Sequence, residues 1–444
     1  MLKIYTIPEA KETILRREQA LDLDIPEGLK AGIRRVFGAD LSPEAAVKHL
    51  LSAVRQGGDA ALREWTQRID GVTLDSLSVS EAEIATAVSR TPTDLYQALE
   101  MAAKRIRAFH ECQPLPNWTT NKLGGRLGQR VTPIRHVGVY VPGGTAPLPS
   151  SLLMSVIPAQ VAGVLEIIVA TPPGRDGTIA DVILAAAHIV GLETVYKLGG
   201  AQAIGAMAFG TESLPRVDKI VGAGNIFVTL AKRQLYGLVG IDGLYGPTET
   251  VVVADETADP TWVAADLLAQ AEHDLLATAI LFTPSPSLAQ AVQREVAHQM
   301  ESLTRTEILA VSLANQGGIV LTADLDEACQ LASDFAAEHA CIATRNPAAY
   351  IGKIPNAGGL FLGERSFEVL GDYVAGPSHV MPTSGTARFA SPLNVLDFVK
   401  ISSIIELDDA TSEQISPIAA RIAMAEGLTA HANAVQKREV SHGN

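Results

Sequence analysis

Basic residues are in short supply in this chain. Thirty-five Lys and Arg stand against 49 Asp and Glu across 444 residues, a formal net charge of −14. Non-specific nucleic-acid binding needs clustered Lys and Arg, and no basic run or basic stripe interleaved with aromatics offsets the balance, so nucleic acid is not an expected partner. Cysteine is equally scarce. Cys112, Cys329 and Cys341 are odd in number and scattered, which gives neither a disulfide framework nor a CxxC metal spacing. Cys341 lies in an apolar run and reads as a small buried hydrophobe. No apolar run is long enough to cross a bilayer: Val156 to Ala170 is interrupted by Pro158, Gln160 and Glu166. The first residues, MLKIYTIPEAKETILRREQ, lack the apolar core of a signal peptide. The expectation is a soluble, cytoplasmic protein with no membrane partner.

What is present is apolar material. Hydrophobic residues make up 47% and charged residues 19%, ample for large buried cores in roughly two to four domains. From Met1 to about Arg130 the pattern is mostly helical, with Ser42-Pro43 as a helix start and Gly57-Gly58 as a stop. After that the texture changes. Strands are expected at 136–141, 166–171, 194–198 and 219–221, then at 250–254, 278–282, 318–321 and 341–344. Helices are expected between them at 148–163, 179–190, 202–209, 227–235, 260–272, 287–301 and 325–337. Such alternation implies an α/β fold with two tandem Rossmann-like modules and mainly parallel sheets. Ligands of such sheets bind beyond the carboxyl ends of the strands. The residues from about 393 form a tail with one strand (396–402) and a helix (412–426), too thin to stand alone.

One long segment, Asn356 to Pro392, shows neither helical nor strand periodicity, yet carries apolar residues to pack. Long irregular segments of this kind are usually functional, and this one holds Asp372 and His379. Other candidate chemical groups lie far away in sequence. Gln270 and His273, three apart late in a helix, share a face; they suit either a mixed N/O metal site or a plain helix C-terminus with a solvated Gln. Glu338-His339 pairs a carboxylate with an imidazole, either a proton-accepting pair or a solvated helix-end pair. In a regular strand the two would point to opposite faces. Asp372 beside Gly371 is also an ordinary turn residue, and Glu426 and His431 also read as surface residues. Tyr140-Val-Pro-Gly143-Gly144 and Gly222-Ala-Gly224-Asn225 follow strands and open helices. Neither completes G-x-G-x-x-G or the P-loop pattern, although amides at such turns bind phosphate.

Together the motifs resemble the histidinol dehydrogenase family from about Arg130 to Val435. They are Gly138-Val-Tyr-Val-Pro-Gly-Gly144, Gly199-Gly-Ala-Gln-Ala-Ile204, Val217-Asp-Lys-Ile, Gly224-Asn-Ile-Phe-Val-Thr, Ala231-Lys-Arg-Gln234, Gln270-Ala-Glu-His273, Glu338-His339, Gly371-Asp-Tyr, Gly376-Pro-Ser-His379, Pro382-Thr-Ser-Gly-Thr-Ala387 and Glu426-Gly-Leu-Thr-Ala-His431. The resemblance implies one Zn2+ per subunit, held by Gln270, His273, Asp372 and His431. It implies a base pair, Glu338 and His339, and NAD contacts at Tyr140, Gln202 and Asn225. Substrate contacts are implied at Thr248, Gln270, His273, His339, Asp372, His379, Glu426 and His431. The implied reaction is the four-electron oxidation of L-histidinol to L-histidine through histidinal with two NAD, in an intertwined homodimer. A relative acting on another polar alcohol, such as a sulfonated diol, would keep the same zinc and base residues; a non-catalytic metal- or nucleotide-binding scaffold is a third reading. Ala337, Ala340 and Cys341 replace the usual residues around Glu338-His339, and Thr248 stands where Ser is usual. The expected division is an N-terminal helical segment (1–28), a first α/β module carrying the metal and base residues (29–135 plus 246–392), a second on the cofactor side (136–245), and a small C-terminal dimerisation and active-site tail (393–444).

Overall fold

The computed structural model describes residues 2–17, 27–143 and 147–439. Gly144 of the Tyr140–Gly144 motif and part of the 1–28 segment therefore lie outside the described residues. The chain divides into two compact units, Met1–Cys112 with Arg135–Phe398, and Gln113–Ile134 with Val399–Asn444.

The first unit is built on two parallel sheets. Strands Glu249–Ala254 and Thr278–Thr283 are buried at every position, as continuous apolar strands are when helices cover both faces of a sheet. Side chains alternate between faces. Val252, Ala254 and Leu281 pack with residues of the helices Pro260–Ala271 and Pro286–Met300. Val251, Val253, Ile280 and Phe282 pack with the helix Leu325–Phe335. The strand order is Ile4–Tyr5, Gly317–Leu321, Thr278–Thr283, Glu249–Ala254, His339–Ala343, Gly359–Leu362. The first strand of this module, Glu249–Ala254, is flanked by its successors on both sides, so the order reverses there.

The second sheet runs Val195–Lys197, Glu166–Thr171, His136–Tyr140, Lys219–Val221, Gly240–Ile241, also parallel. Helix Pro43–Asp70 packs against this module. Ser42 caps it, its hydroxyl accepting from Ala45 N–H at 3.2 Å, with Pro43 in the first turn. Gly58, at φ 51° and ψ −135°, leaves the helical region and divides this span into two helices that meet at a kink, where Gly57-Gly58 was expected to stop the first. Its face of Val47, Leu50, Leu51, Val54, Leu62 and Trp65 shares a core with Leu198, Ile204 and Met207. Helix Glu81–Arg90 packs on Asp181–Ile189, and Thr93–Glu111 on Pro149–Val161. The helices at 43–111 thus accompany the five-stranded sheet, where the sequence grouping placed them with 246–392. The apolar stripe says that a helix needs a partner, and says nothing about which.

The N-terminal segment, expected to be helical, opens as an edge strand, Ile4–Tyr5, pairing with Ile319 and Val320. Helix Ile7–Glu12 follows, with a capping box between Thr6 and Glu9.

The second unit starts at Val399, not at 393, and draws in residues from the first half of the chain. Strand Val399–Glu406 pairs antiparallel with Arg126–Pro133, which pairs with Trp118–Thr120. Helices Asp409–Ala425 and Thr429–Glu439 complete it. One strand cannot satisfy its own backbone groups, so the tail recruits 113–134. Ile401, Ile405, Ile418, Ile422 and Met424 of this unit are exposed.

Candidate active site

Strands Glu249–Ala254 and His339–Ala343 lie side by side with His339 opposite Thr250, which brings the residues just before them together. Thr248 Oγ1 donates to Glu338 Oε2 at 2.7 Å, and the Glu249 N–H donates to the same oxygen at 3.2 Å. Glu338 precedes the first strand residue and escapes strand alternation, so it and His339 both line one pocket. Burial pushes the Glu338 carboxyl pKa up, against the opposing pull of His339 and of the Thr248 and Glu249 donors. His339 Nδ1 lies 3.3 Å from the Glu249 carbonyl oxygen and Nε2 lies 3.4 Å from Asp372 Oδ1. Burial alone would lower the His339 pKa; the carboxylates of Glu338, Glu368 and Asp372 override it and raise the pKa.

Gln270 occupies the last turn of Pro260–Ala271, and His273 lies just beyond that helix instead of within it. Asp372 comes from the segment that looked irregular in sequence, which in fact holds a strand, Gly359–Leu362, and a short helix, Glu368–Tyr373. The only buried residue of that helix is Glu368, whose carboxylate accepts from the Thr250 hydroxyl and from Cys341 Sγ, the latter at 2.9 Å. Cys341 is therefore a hydrogen-bonding thiol as well as a buried one. Burial works against ionisation of Asp372, yet the imidazoles of His339, His379 and His273 hold its carboxyl below the usual range. His379 Nδ1 donates to the Asp372 carbonyl oxygen at 2.7 Å, which leaves Nε2 to accept from Ser151 Oγ at 3.2 Å. Burial lowers the His379 pKa.

The donor set can be tested against a metal through Gln270. Its Oε1 lies 3.0 Å from Thr248 Oγ1 and its Nε2 3.4 Å from Asp372 Oδ2. Thr248 has a single proton, and Glu338 is its closer acceptor. Amide orientation is assigned from the network, and the opposite orientation makes Nε2 donate to Thr248 and turns the Gln270 oxygen towards Asp372. In that orientation two oxygens would face each other in the pocket that His273 also lines, an arrangement a bound cation would make favourable. Among the described residues, no group of three or more His, Cys, Asp or Glu could hold a metal ion, so a site here would have to draw on the Gln270 amide oxygen beside His273 and Asp372. A mixed N/O donor set of that kind is compatible with zinc.

The expected cofactor residues sit at the other sheet. Tyr140 ends strand His136–Tyr140 and lines the same pocket as Glu338 and His339. Its hydroxyl accepts from the Gly200 N–H at 3.0 Å, and burial pushes its pKa up to about 12. Gln202 and Asn225 instead line a neighbouring pocket with Gly28, Ile33, Phe37, Leu50 and Gly200. Gln202 is 0% exposed and neither amide atom has a partner among the described residues. It lies in the first turn of helix Gly200–Phe209, and Asn225 caps Ile226–Leu235, accepting from Phe227 and Val228 N–H at 3.0 and 3.2 Å. Two helix N-termini and an unpaired amide suit an anionic, hydrogen-bonding ligand such as a dinucleotide.

The structure thus brings Tyr140, Thr248, Gln270, His273, Glu338, His339, Asp372 and His379 to one pocket. Glu426 and His431 belong to the second unit, and both are exposed. Sequence reasoning missed Ser151, Glu368 and Tyr245, and only the low frequency of buried Glu marks Glu368 at all. The pocket also departs from the expected location. It faces the carboxyl ends of the five-stranded sheet, at Tyr140 and Gly222, but the amino ends of the six-stranded sheet, at Thr248 and Glu338. Ala337 and Ala340 pack in the core behind the strands and do not line the pocket. Thr248 keeps the hydroxyl that a Ser would offer.

Residues 38–439 match the family described as histidinol dehydrogenase. The chain is 50% identical over 418 residues to "Histidinol dehydrogenase" of Deinococcus radiodurans, covering 94% of this chain and 95% of that protein. It is likewise 50% identical over 416 residues to "Histidinol dehydrogenase" of Geobacillus kaustophilus, covering 93% and 98%. Among solved structures, histidinol dehydrogenase from Elizabethkingia anophelis superposes with a TM-score of 0.91 at 34% identity, covering 100% of this chain and 99% of that one.

Proposed function

This chain belongs to the histidinol dehydrogenase family, and from that premise we propose that it oxidises L-histidinol to L-histidine through histidinal, reducing two NAD. It is an NAD-dependent oxidoreductase acting on a small molecule. The observation that carries the substrate reading is the junction of Glu338 and His339 with Thr248, Gln270, His273 and Asp372 in one pocket.

Gln270, His273 and Asp372 would hold Zn2+, with His431 completing the set. Bound there, zinc would fix the amino-alcohol and imidazole nitrogens of the substrate as a positioning template. The remaining work falls to the chain's own side chains. His339 accepts the hydroxyl proton of the alcohol as hydride leaves for NAD. Glu338, buried and held by Thr248 and the Glu249 N–H, would then take a proton from the water that attacks the aldehyde while His339 returns its proton to the aldehyde oxygen; His339 would next accept a hydroxyl proton of the hydrate as the second NAD takes its hydride. Thr248, His379 and Glu426 would contact substrate, and Tyr140, Gln202 and Asn225 would contact NAD.

A homodimer sharing its active sites is the assembly we propose. The exposed apolar side chains of Ile401, Ile405, Ile418, Ile422 and Met424 support it, because apolar surface of this kind is what association buries. A cytoplasmic location accords with a biosynthetic activity; no helix among the described residues is long and apolar enough to cross a membrane.

Purified, zinc-loaded protein supplied with L-histidinol and NAD is expected to yield two NADH per histidine. One NADH with accumulating aldehyde, or no turnover, would overturn the assignment.

A further inference from the structure

A fully buried ion pair outside the pocket lies behind the turn that separates it from its neighbour. Lys232 Nζ and Asp242 Oδ1 are 2.5 Å apart, and both side chains are 1% exposed. Nothing in the reaction uses either group. A buried pair of this kind is weak evidence for stability, because the desolvation of both charges offsets their attraction.

What the pair holds is the backbone of Gly222. The Gly222 N–H donates to Asp242 Oδ2 at 2.7 Å, and the Gly222 carbonyl accepts from Lys232 Nζ at 2.9 Å. Both polar groups of one peptide residue are thus gripped by one ion pair. Asp242 Oδ1 also accepts from the Gly243 N–H at 2.8 Å, and Lys232 Nζ lies 4.9 Å from the centre of the Tyr245 ring. Gly222 itself has φ +110°, and a Cβ there would lie 2.1 Å from the Tyr140 carbonyl oxygen, so the turn is seated directly on the end of strand His136–Tyr140.

The turn from Gly222 to Asn225 is a wall common to two pockets. Gly222 and Ala223 face the pocket of Glu338 and His339; Asn225 faces the pocket of Gln202. We propose that Lys232 and Asp242 are positioning residues for NAD, fixing the Gly222–Asn225 turn so that the cofactor bound at Asn225 presents its reactive ring beside His339. This rests on the reading of the Gln202–Asn225 pocket as the NAD site.

The test is equilibrium binding of NADH, with zinc content and the KM for histidinol measured on the same preparations. Lys232→Met alone leaves a buried carboxylate unpaired and is expected to fold poorly. The double variant Lys232→Met/Asp242→Leu removes both charges. It is expected to retain its zinc and its histidinol KM within about twofold while losing NADH affinity by about tenfold or more, because a loosened turn must be reordered on binding. Should it fail to fold, Lys232→Gln/Asp242→Asn, which removes both charges and keeps polar groups at both positions, serves instead, with a smaller expected loss of about threefold or more. A folded variant with parental NADH affinity overturns the proposal, as does a uniform loss of zinc, histidinol and NADH binding. Asn225→Ala separates the two ideas: if it binds NADH normally the pocket reading fails, and if it alone is impaired the positioning role fails.

Discussion

The two parallel sheets of the first unit serve the same pocket from opposite ends. The five-stranded sheet offers the carboxyl ends of its strands, at Tyr140 and Gly222, and in the neighbouring pocket the N-termini of the helices at Gln202 and Asn225. The six-stranded sheet offers the amino ends of its strands, at Thr248 and Glu338, and the C-terminus of a helix, at Gln270 and His273. Helix N-termini carry partial positive charge and free N–H groups, and C-termini the reverse. A dinucleotide pyrophosphate belongs at the first kind of end and a divalent cation at the second. One architecture used in both directions would therefore offer one side to the pyrophosphate and the other to the cation proposed above.

If the two sides are separable, damage to one should leave the other's ligand bound. The largest effect is expected from His339→Asn, which removes the proton acceptor: kcat should fall by about 10² to 10⁴ with NADH affinity within twofold of parental, as read by steady-state kinetics and NADH titration. Asp372→Ala comes next. Zinc retention after dialysis against a weak chelator should collapse, while NADH binding persists; loss of both ligands would break the comparison. On the opposite side, Asn225→Ala should lower NADH affinity and remove a helix cap that contributes about 1 kcal/mol, with zinc content unchanged by metal analysis.

Thr248→Val takes one donor from Glu338 and one partner from Gln270, at about 1–2 kcal/mol. A fall of roughly tenfold in kcat/KM is expected, and Thr248→Ser should restore most of it. The smallest effect concerns stability alone. Asp70, half-buried with one carboxylate oxygen unpartnered, has its pKa raised by burial to about 6 from 3.8. A carboxyl raised on folding resists ionisation, so its penalty is absent below about pH 4 and complete above about pH 6, where it reaches roughly 1–3 kcal/mol. Chemical denaturation should show Asp70→Asn gaining stability over the parent as pH rises through that window.

Much of this fold was legible because its strands are apolar runs between amphipathic helices. Strands such as Glu166–Thr171 and Thr278–Thr283, and helices such as Pro260–Ala271, fall within a residue or two of their expected places. Helix Thr306–Asn315 and strand Gly359–Leu362 were not anticipated. The first was hidden beside another helix and the second among glycines that resemble a loop. Arg126–Pro133 is polar and half-exposed, and it becomes a strand only through pairing with Val399–Glu406, far along the chain. The site was harder to read. Gln270, His273 and Asp372 each look ordinary in sequence, and only the meeting of a helix end with a short helix anchored by Glu368 makes them a set. The family resemblance named them; the fold supplies the reason that they meet. The amino-end location was missed because the rule for parallel sheets describes anion-binding ends, and half of this pocket is the opposite kind.

The most direct test of this opposition is anomalous diffraction at the zinc edge from crystals grown with zinc and NAD. The account predicts a single peak per subunit bonded by Gln270 Oε1, His273 and Asp372 at the helix C-terminus, with NAD density on the far wall against Gln202 and Asn225. A zinc peak that excludes Gln270, or a pyrophosphate lying at the Gln270–His273 end, would contradict it.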